Sequence, residues 1–256
     1  MPAVQSAQTH DSDVLLVTGG SRGIGAAIVR EAVARGYAVG FSYQSDIASA
    51  RSLVGELAAE GGRLQAIQGD VADASFTSSF FDEASAQFGP VTAVVNNAGM
   101  TGRIGAFSEV PVDILRRTID VNLLGTMFMA QEAIRRWQAA SIPGRLVNIS
   151  SVAATLGSPG EYVHYAATKG AVDTLTIGLG KEVAASGIRV NAVAPGTAYT
   201  DIHGAGGDPD RPKRIVTRVP IGRIAQPEEI AKTVLWLLSD EASYVTATVL
   251  RVGGGV

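Results

Sequence analysis

The chain has 256 residues, 46% of them hydrophobic and 18% charged, enough to bury the core of one sizeable domain. Its 24 acids against 21 lysines and arginines leave a net charge of −3, giving no electrostatic reason to bind nucleic acid or an anionic membrane. The absence of cysteine excludes disulfides, zinc–thiolate sites and cysteine catalysis, and suits a cytoplasmic location. Residues 1–12 carry no basic stretch followed by an apolar run, so they read as a disordered tail rather than a secretion signal. No apolar run reaches the length of a membrane span, and the glycines are scattered rather than gathered in a linker. Residues 13–256 therefore read as a single domain without repeats.

In chain order, residues 14–17 form a continuous apolar run, as expected of a strand covered on both faces. They lead straight into Thr18, Gly19, Gly20, Ser21, Arg22, Gly23, Ile24 and Gly25. A helix follows, with Ala26, Ile28, Val29, Ala32 and Val33 at its apolar positions and Gly36 ending it. Strand, glycine-rich turn and helix N-terminus together make a dinucleotide pyrophosphate site, because glycines let backbone approach phosphate and the helix end offers free N–H groups. The bland alternative is an ordinary tight turn.

Residues 37–43 read as the second strand, 46–60 as a helix and 64–68 as the third strand, closed by Gly69, Asp70 and Val71. Taken alone, Asp70 reads as a turn or cap residue. Helix 74–88 carries Phe76, Phe80, Phe81, Ala84 and Phe88 at 3–4 spacing, the mark of core. The fourth strand, 91–95, precedes Asn96, Asn97, Ala98 and Gly99, whose amides can bridge backbone groups of neighbouring strands. A loop over 100–110 ends at Pro111, which opens a long helix to about residue 137. Asn122 falls inside that helix, and spacing alone makes it a polar face residue.

The richest stretch is 148–169. It begins at the end of an apolar strand, where Ser151 can donate to a substrate carbonyl, and catalytic groups belong at such carboxyl ends. It finishes on a helix where Tyr165 and Lys169, four residues apart, share a face. An ammonium about 4 Å from a phenol favours the phenolate by roughly 4 kcal/mol at an effective dielectric of 20. That predicts a Tyr165 pKa brought down towards working pH. The plain alternative is a packed ring and a solvated charge. A strand over 188–193, a Gly-, Pro- and charge-rich segment over 201–218, a helix over 227–239 and a strand over 246–252 complete the chain. His10, His164 and His203 show no ligand spacing and read as loop or surface residues, so no metal is expected.

Together, the G-x-x-x-G-x-G turn opened by Thr18, the Asn96–Gly99 tetrad, Ser151 with Tyr165 and Lys169, and Pro195-Gly196 with Thr200 resemble the short-chain dehydrogenase/reductase family in its single-domain form. The resemblance implies a doubly wound parallel sheet of about seven strands, a Rossmann fold, with helices on both faces. It implies NADP(H)-dependent hydride transfer between the nicotinamide and a small-molecule carbonyl or secondary alcohol: a ketone, a sugar or a 3-oxoacyl thioester. Tyr165 would protonate the oxygen and Ser151, or its neighbour Ser150, would hold it. Lys169 would lower the tyrosine pKa and grip the ribose, and Asn122 would support a proton relay through water.

The implied cofactor contacts are Gly19, Ser21, Arg22, Gly23 and Ile24 at the glycine turn, and Asp70 and the Val71 backbone at the adenine. Asn97, Ala98 and Gly99 would lie along the nicotinamide ribose with Tyr165 and Lys169, and Pro195, Gly196, Ala198 and Thr200 near the carboxamide. Ala198 departs from the branched residue usual there. NAD-using members close the second strand with an acid; here that position is Tyr43, and Arg22 resembles the basic residue placed against a 2′-phosphate. Ser42, Gln44 and Ser45 can add hydrogen bonds. Asp46 is the competing acid, or simply starts the next helix. The balance favours NADP over NAD.

Ser151 and Tyr165 are fourteen apart, one more than is common, an insertion the turn over 156–160 can absorb. Ala166, Ala171, Val172, Leu175 and Leu179 put small or apolar residues on more than one helix face, and family members pair through these helices, which predicts a homotetramer. Residues 199–218 are expected to form a mobile substrate lid. Two rivals remain: a non-catalytic NADP(H)-sensing regulator, and a nucleotide-sugar epimerase or dehydratase, for whose longer substrate domain the chain has no room.

Overall fold

A computed structural model describes residues 13–200 and 202–256, apart from the side chain of His203. The expected N-terminal tail lies outside the described residues. Seven strands form one parallel sheet: β1 (Val14–Val17), β2 (Ala38–Tyr43), β3 (Leu64–Gln68), β4 (Ala93–Asn96), β5 (Arg145–Ile149), β6 (Arg189–Pro195) and β7 (Val249–Val252). Their spatial order is β3-β2-β1-β4-β5-β6-β7. The order reverses between β1 and β4, and open α/β sheets place a ligand crevice at the carboxyl ends of strands at such a point.

Helices cover both faces, which is why the central strands are apolar throughout rather than alternating. On one face α1 (Gly23–Ala34), α2 (Ile47–Ala59) and α10 (Pro227–Leu238) pack over Leu15, Val17, Val39 and Val193. On the other, α3 (Ala74–Phe88), α5 (Gly125–Ala140) and the end of α7 (Val163–Val183) cover Leu16, Val94, Leu146 and Val190. Phe76, Phe80 and Phe81 lie buried there, as their spacing predicts.

Three elements differ from the sequence expectation. The long helix after Pro111 divides into α4 (Val112–Ile119) and α5, joined by a π-helical turn over Asp120–Leu124 in which the Gly125 N–H donates to the Asp120 carbonyl. The last strand starts three residues late, because Ala247 adopts a left-handed φ of 57° and turns the chain before Val249. The 199–218 segment contains two short helices, α8 (Ile202–Ala205) and α9 (Arg211–Ile215). Ala166 and Val172 are buried within their own fold, so they offer no second apolar face. The exposed apolar residues of those helices are instead Val112, Ile119, Met127, Val163 and Ile177. Among the described residues no helix is long and apolar enough to cross a membrane.

Candidate active site

The glycine turn is fastened to its neighbours through main-chain groups. Thr18 Oγ1 accepts from the Asn97 N–H at 2.9 Å and the Ala98 N–H at 3.0 Å. The Asn97 amide donates back to the carbonyls of Thr18 (3.0 Å) and Gly19 (2.9 Å). From the other side, the Gly19 N–H donates to Ser42 Oγ on β2 at 3.1 Å. A Cβ at Gly25 would lie 2.1 Å from the Gly19 carbonyl oxygen, so only glycine fits that approach. The turn runs into α1, whose first N–H groups meet no side-chain cap and are free to bind an anion. Thr200 faces this turn, its methyl 3.2 Å from where a Gly23 Cβ would sit. Its strand-like approach is pinned at Ala225, which accepts from the Tyr199 N–H and donates to the Thr197 carbonyl, both at 3.0 Å.

At the far end of the cleft, half-buried Tyr43 closes β2 and Arg22 is exposed. Asp46 caps α2, its Oδ1 accepting from the Ser49 N–H at 3.0 Å. Ser49 backbone and hydroxyl, with help from Arg22, hold that carboxyl below its ordinary range. Asp46 thus takes the helix-start role rather than standing free. Asp70 is more committed than its sequence suggested: Oδ2 accepts from Arg117 at 2.6 Å and from the Gln44 amide at 3.0 Å, and Oδ1 from the Ala72 N–H at 3.0 Å.

At the opposite end, β5 delivers two serines. Ser150 is buried, bonded to Asp173 and to the Lys169 carbonyl, and so faces α7. Ser151 faces the cleft, accepts from the Ala153 N–H at 3.1 Å and hydrogen-bonds the Tyr165 hydroxyl. Left-handed conformations at Gly157, Ser158 and Gly160 absorb the extra residue between Ser151 and Tyr165. Lys169 is buried, its Nζ donating to the Ile149 carbonyl at 2.7 Å and lying 5.7 Å from the Tyr165 ring centre.

The expected depression of the tyrosine is not what this arrangement produces. Burial pushes the Tyr165 phenol up to about 12, against the opposing hydrogen bond from Ser151. Burial likewise pushes the Lys169 ammonium down to about 8, against the attraction of Asp173. At this separation desolvation outweighs the charge of the lysine, so Tyr165 rests as a neutral acid.

Asn122 is fully buried on the π turn, not on a polar face. Its Oδ1 accepts from the Met100 N–H and its amide donates to the Met100 carbonyl, both at 2.8 Å, with a third bond to Thr168 Oγ1 at 3.1 Å. It clamps the chain that follows Gly99, where a Cβ would come 3.3 Å from Asn122 Oδ1 and 3.6 Å from Lys169 Nζ. His164 is also buried, against expectation.

One cleft of about 950 Å³ gathers Gly19, Ser21–Ile24, Tyr43–Ser45, Asp70, Val71, Asn97–Gly99, Ser151, Tyr165, Lys169, Pro195, Gly196, Ala198 and Thr200. Asn122 alone of the sequence-predicted site residues does not line it. Sequence reasoning missed Glu161, Tyr162 and Arg211, which line the same cleft beside Tyr165. Among the described residues no cluster of His, Cys, Asp and Glu gathers to hold a metal.

The family model described as "Enoyl-(Acyl carrier protein) reductase" matches residues 19–256. The chain is 41% identical to an uncharacterized oxidoreductase, YgfF, of Escherichia coli K12, over 94% of this chain and 99% of that one. It is 39% identical to an L-rhamnose 1-dehydrogenase (NAD(P)(+)) of Sphingomonas sp. SKA58, over 96% of each. A crystal structure of a blue fluorescent protein from a metagenomic library, in complex with NADPH, superposes with a TM-score of 0.87 at 36% identity, covering 97% of this chain and 99% of the other. Fold, motif placement and these likenesses agree: the chain belongs to the short-chain dehydrogenase/reductase family.

Proposed function

We propose that the chain is an NADP(H)-dependent oxidoreductase that reduces a small-molecule carbonyl, or oxidises the corresponding secondary alcohol. The observation that carries this reading is the hydrogen-bonded pair of Ser151 and Tyr165 at the cleft, with the Lys169 ammonium buried behind it. A dinucleotide fits the residues present: the Gly19–Gly25 approach leaves no room for side chains, and the first turn of α1 is uncapped. Gly19, Ser21, Gly23 and Ile24 would hold its phosphates, Asp70 and Val71 its adenine, and Asn97–Gly99, Lys169, Pro195, Gly196, Ala198 and Thr200 its nicotinamide half. Bound nicotinamide supplies the hydride.

Ser151 donates a hydrogen bond to the substrate carbonyl oxygen, and the neutral Tyr165 phenol gives that oxygen its proton. Lys169 then faces the phenolate left behind and stabilises it. Asn122 supports the return of a proton towards Lys169 by fixing the turn and loop around it. A phenol held as the acid through the neutral range suits reduction, whereas alcohol oxidation, which needs the phenolate, should speed up with pH.

NADP is preferred to NAD on three supports. Tyr43 brings no charge against a 2′-phosphate, Arg22 lies exposed on the same cleft, and Asp46 is engaged with Ser49. Gln44 and Ser45 border this end. The rhamnose relative is named for either cofactor and the fluorescent relative was solved with NADPH. The same reading makes 199–218 the substrate lid. It makes the assembly a homotetramer that covers exposed Val112, Ile119, Met127, Val163 and Ile177. The cysteine-free chain suits the cytoplasm.

The test follows NADPH oxidation against a carbonyl panel containing a 3-oxoacyl thioester, cyclic ketones and sugar-derived carbonyls, with an aldose offered in the oxidative direction. Turnover of one class is expected. Tight NADPH binding without turnover of any class would overturn the catalytic reading.

A further inference from the structure

We infer that Arg211 is a positioning residue for this reaction: from the 199–218 segment it clamps Glu161 and Tyr162, and through Tyr162 it holds the Tyr165 ring in place beside Ser151. The inference rests on the catalytic reading of Tyr165 given above. Arg211 opens α9 in a run of charged residues, yet its side chain is only 8% exposed. Its Nη2 and Nε both donate to Glu161 Oε2, at 2.7 and 3.0 Å. The same guanidinium lies 4.9 Å above the Tyr162 ring. Tyr162 in turn meets Tyr165 edge to face, with ring centres 5.2 Å apart and planes at 88°. A continuous set of contacts thus runs from the 199–218 segment to the phenol at the cleft.

Burying a guanidinium is costly unless it is well paired, and a buried pair is weak support for stability alone. Here the pair spans two elements that meet nowhere in sequence. Glu161 and Tyr162 sit immediately before α7, where both N–H groups donate to the Ser158 carbonyl at 3.2 Å. That start is set by a turn with three left-handed residues, so the local backbone alone is a poor anchor for a ring that must be placed accurately. The Glu161 carbonyl also accepts from the Gly105 N–H at 2.7 Å, and Ile104 donates to Gly206 at 3.0 Å. Arg211 therefore locks three segments around one ring.

The charged and titratable groups about the Tyr165 phenol are Lys169 and His164 on α7, Tyr162 and Glu161 before it, and Arg211 above. Of these, Arg211 works against burial and eases ionisation of the phenol, while Tyr162 works with it. An arginine whose role was only to tether the segment would change substrate affinity. One that fixes the acid changes the chemical step.

The test compares Arg211→Met and Arg211→Lys with the wild type, using the carbonyl that the panel shows to turn over fastest. Arg211→Met is expected to lower kcat by about tenfold or more, with KM and NADPH affinity within about threefold. Arg211→Lys, which keeps a cation over Tyr162 and one bond to Glu161, should restore much of the loss. Without substrate, amide hydrogen exchange over 158–166 should run about tenfold faster in Arg211→Met than in the wild type. A kcat within about twofold of wild type, a loss confined to KM, or no rescue by lysine overturns the inference. If the wild type turns over no carbonyl, the catalytic reading fails separately. Exchange then decides the clamp: acceleration supports it and an unchanged rate overturns it.

Discussion

At the pyrophosphate end of the cleft, Thr18 Oγ1 and the Asn97 amide tie the chain after β1 to the chain after β4 through four hydrogen bonds to main-chain groups. At the substrate end, the 199–218 segment is held by the Arg211–Glu161 ion pair, a ring contact and the backbone bond between Ile104 and Gly206. The first kind of fastening fixes backbone and admits no larger side chain; the second depends on which side chains happen to be present. Reaction chemistry and substrate choice can therefore be carried by separable parts of one cleft, with Tyr165 at the seam between them.

The sharpest way to test that seam is Tyr165→Phe. Loss of the phenol should lower turnover by about a hundredfold or more while NADPH affinity stays within about twofold, read by initial rates and fluorescence titration. Substantial remaining turnover would move the acid elsewhere. Thr18→Val probes the backbone-fastened end. It leaves two N–H groups without their acceptor at a buried position, and should cost about 2 to 4 kcal/mol in urea unfolding. An unchanged midpoint would mean that the fastening carries no stability.

Arg22→Ala asks whether a single side chain can also matter at that end. NADPH should bind about tenfold more weakly, ~1.4 kcal/mol, with NADH unchanged. Equal losses for both cofactors would place Arg22 on a shared phosphate instead.

The smallest effect concerns Lys169. With a folded pKa of about 8 against an ordinary 10.5, it sheds its proton in the folded state before the unfolded chain does. Its contribution to stability is therefore gained as pH rises from about 8 to 10.5, and lost as pH falls back through that window. Relative to Lys169→Met, the wild type should gain about 1 kcal/mol between roughly pH 8 and pH 9. Parallel stability curves for the two proteins would contradict it.

Much of this was legible in the sequence, for identifiable reasons. Apolar runs such as 14–17 and 145–149 read as buried strands because both faces of the sheet are covered. The glycine turn and the Asn96–Gly99 tetrad were legible because close backbone approach restricts which residues fit. Asn122 was misread because periodicity cannot register a π turn, and a buried amide bonded to Met100 looks in sequence like any polar helix residue. Arg211 was lost in a charged run, where solvent exposure is the default. The tyrosine's acidity was misjudged because sequence spacing gives the face a lysine shares but neither the depth of burial nor the 5.7 Å that separates it from the ring.

The π turn over Asp120–Leu124 has a consequence for length. An α-helix rotates about 100° per residue, so one surplus residue there sets the phase between α4 and everything after it. Deleting one residue within 120–124 would restore regular α-helical bonding, yet it would swing Met129, Ala133 and Trp137 about a quarter-turn away from the sheet they now cover. The amide that grips Met100 would lose its aim in the same stroke. The helix therefore tolerates substitution along this stretch far better than shortening: its irregularity works as a fixed gear between the loop at the cleft and the packing beneath it.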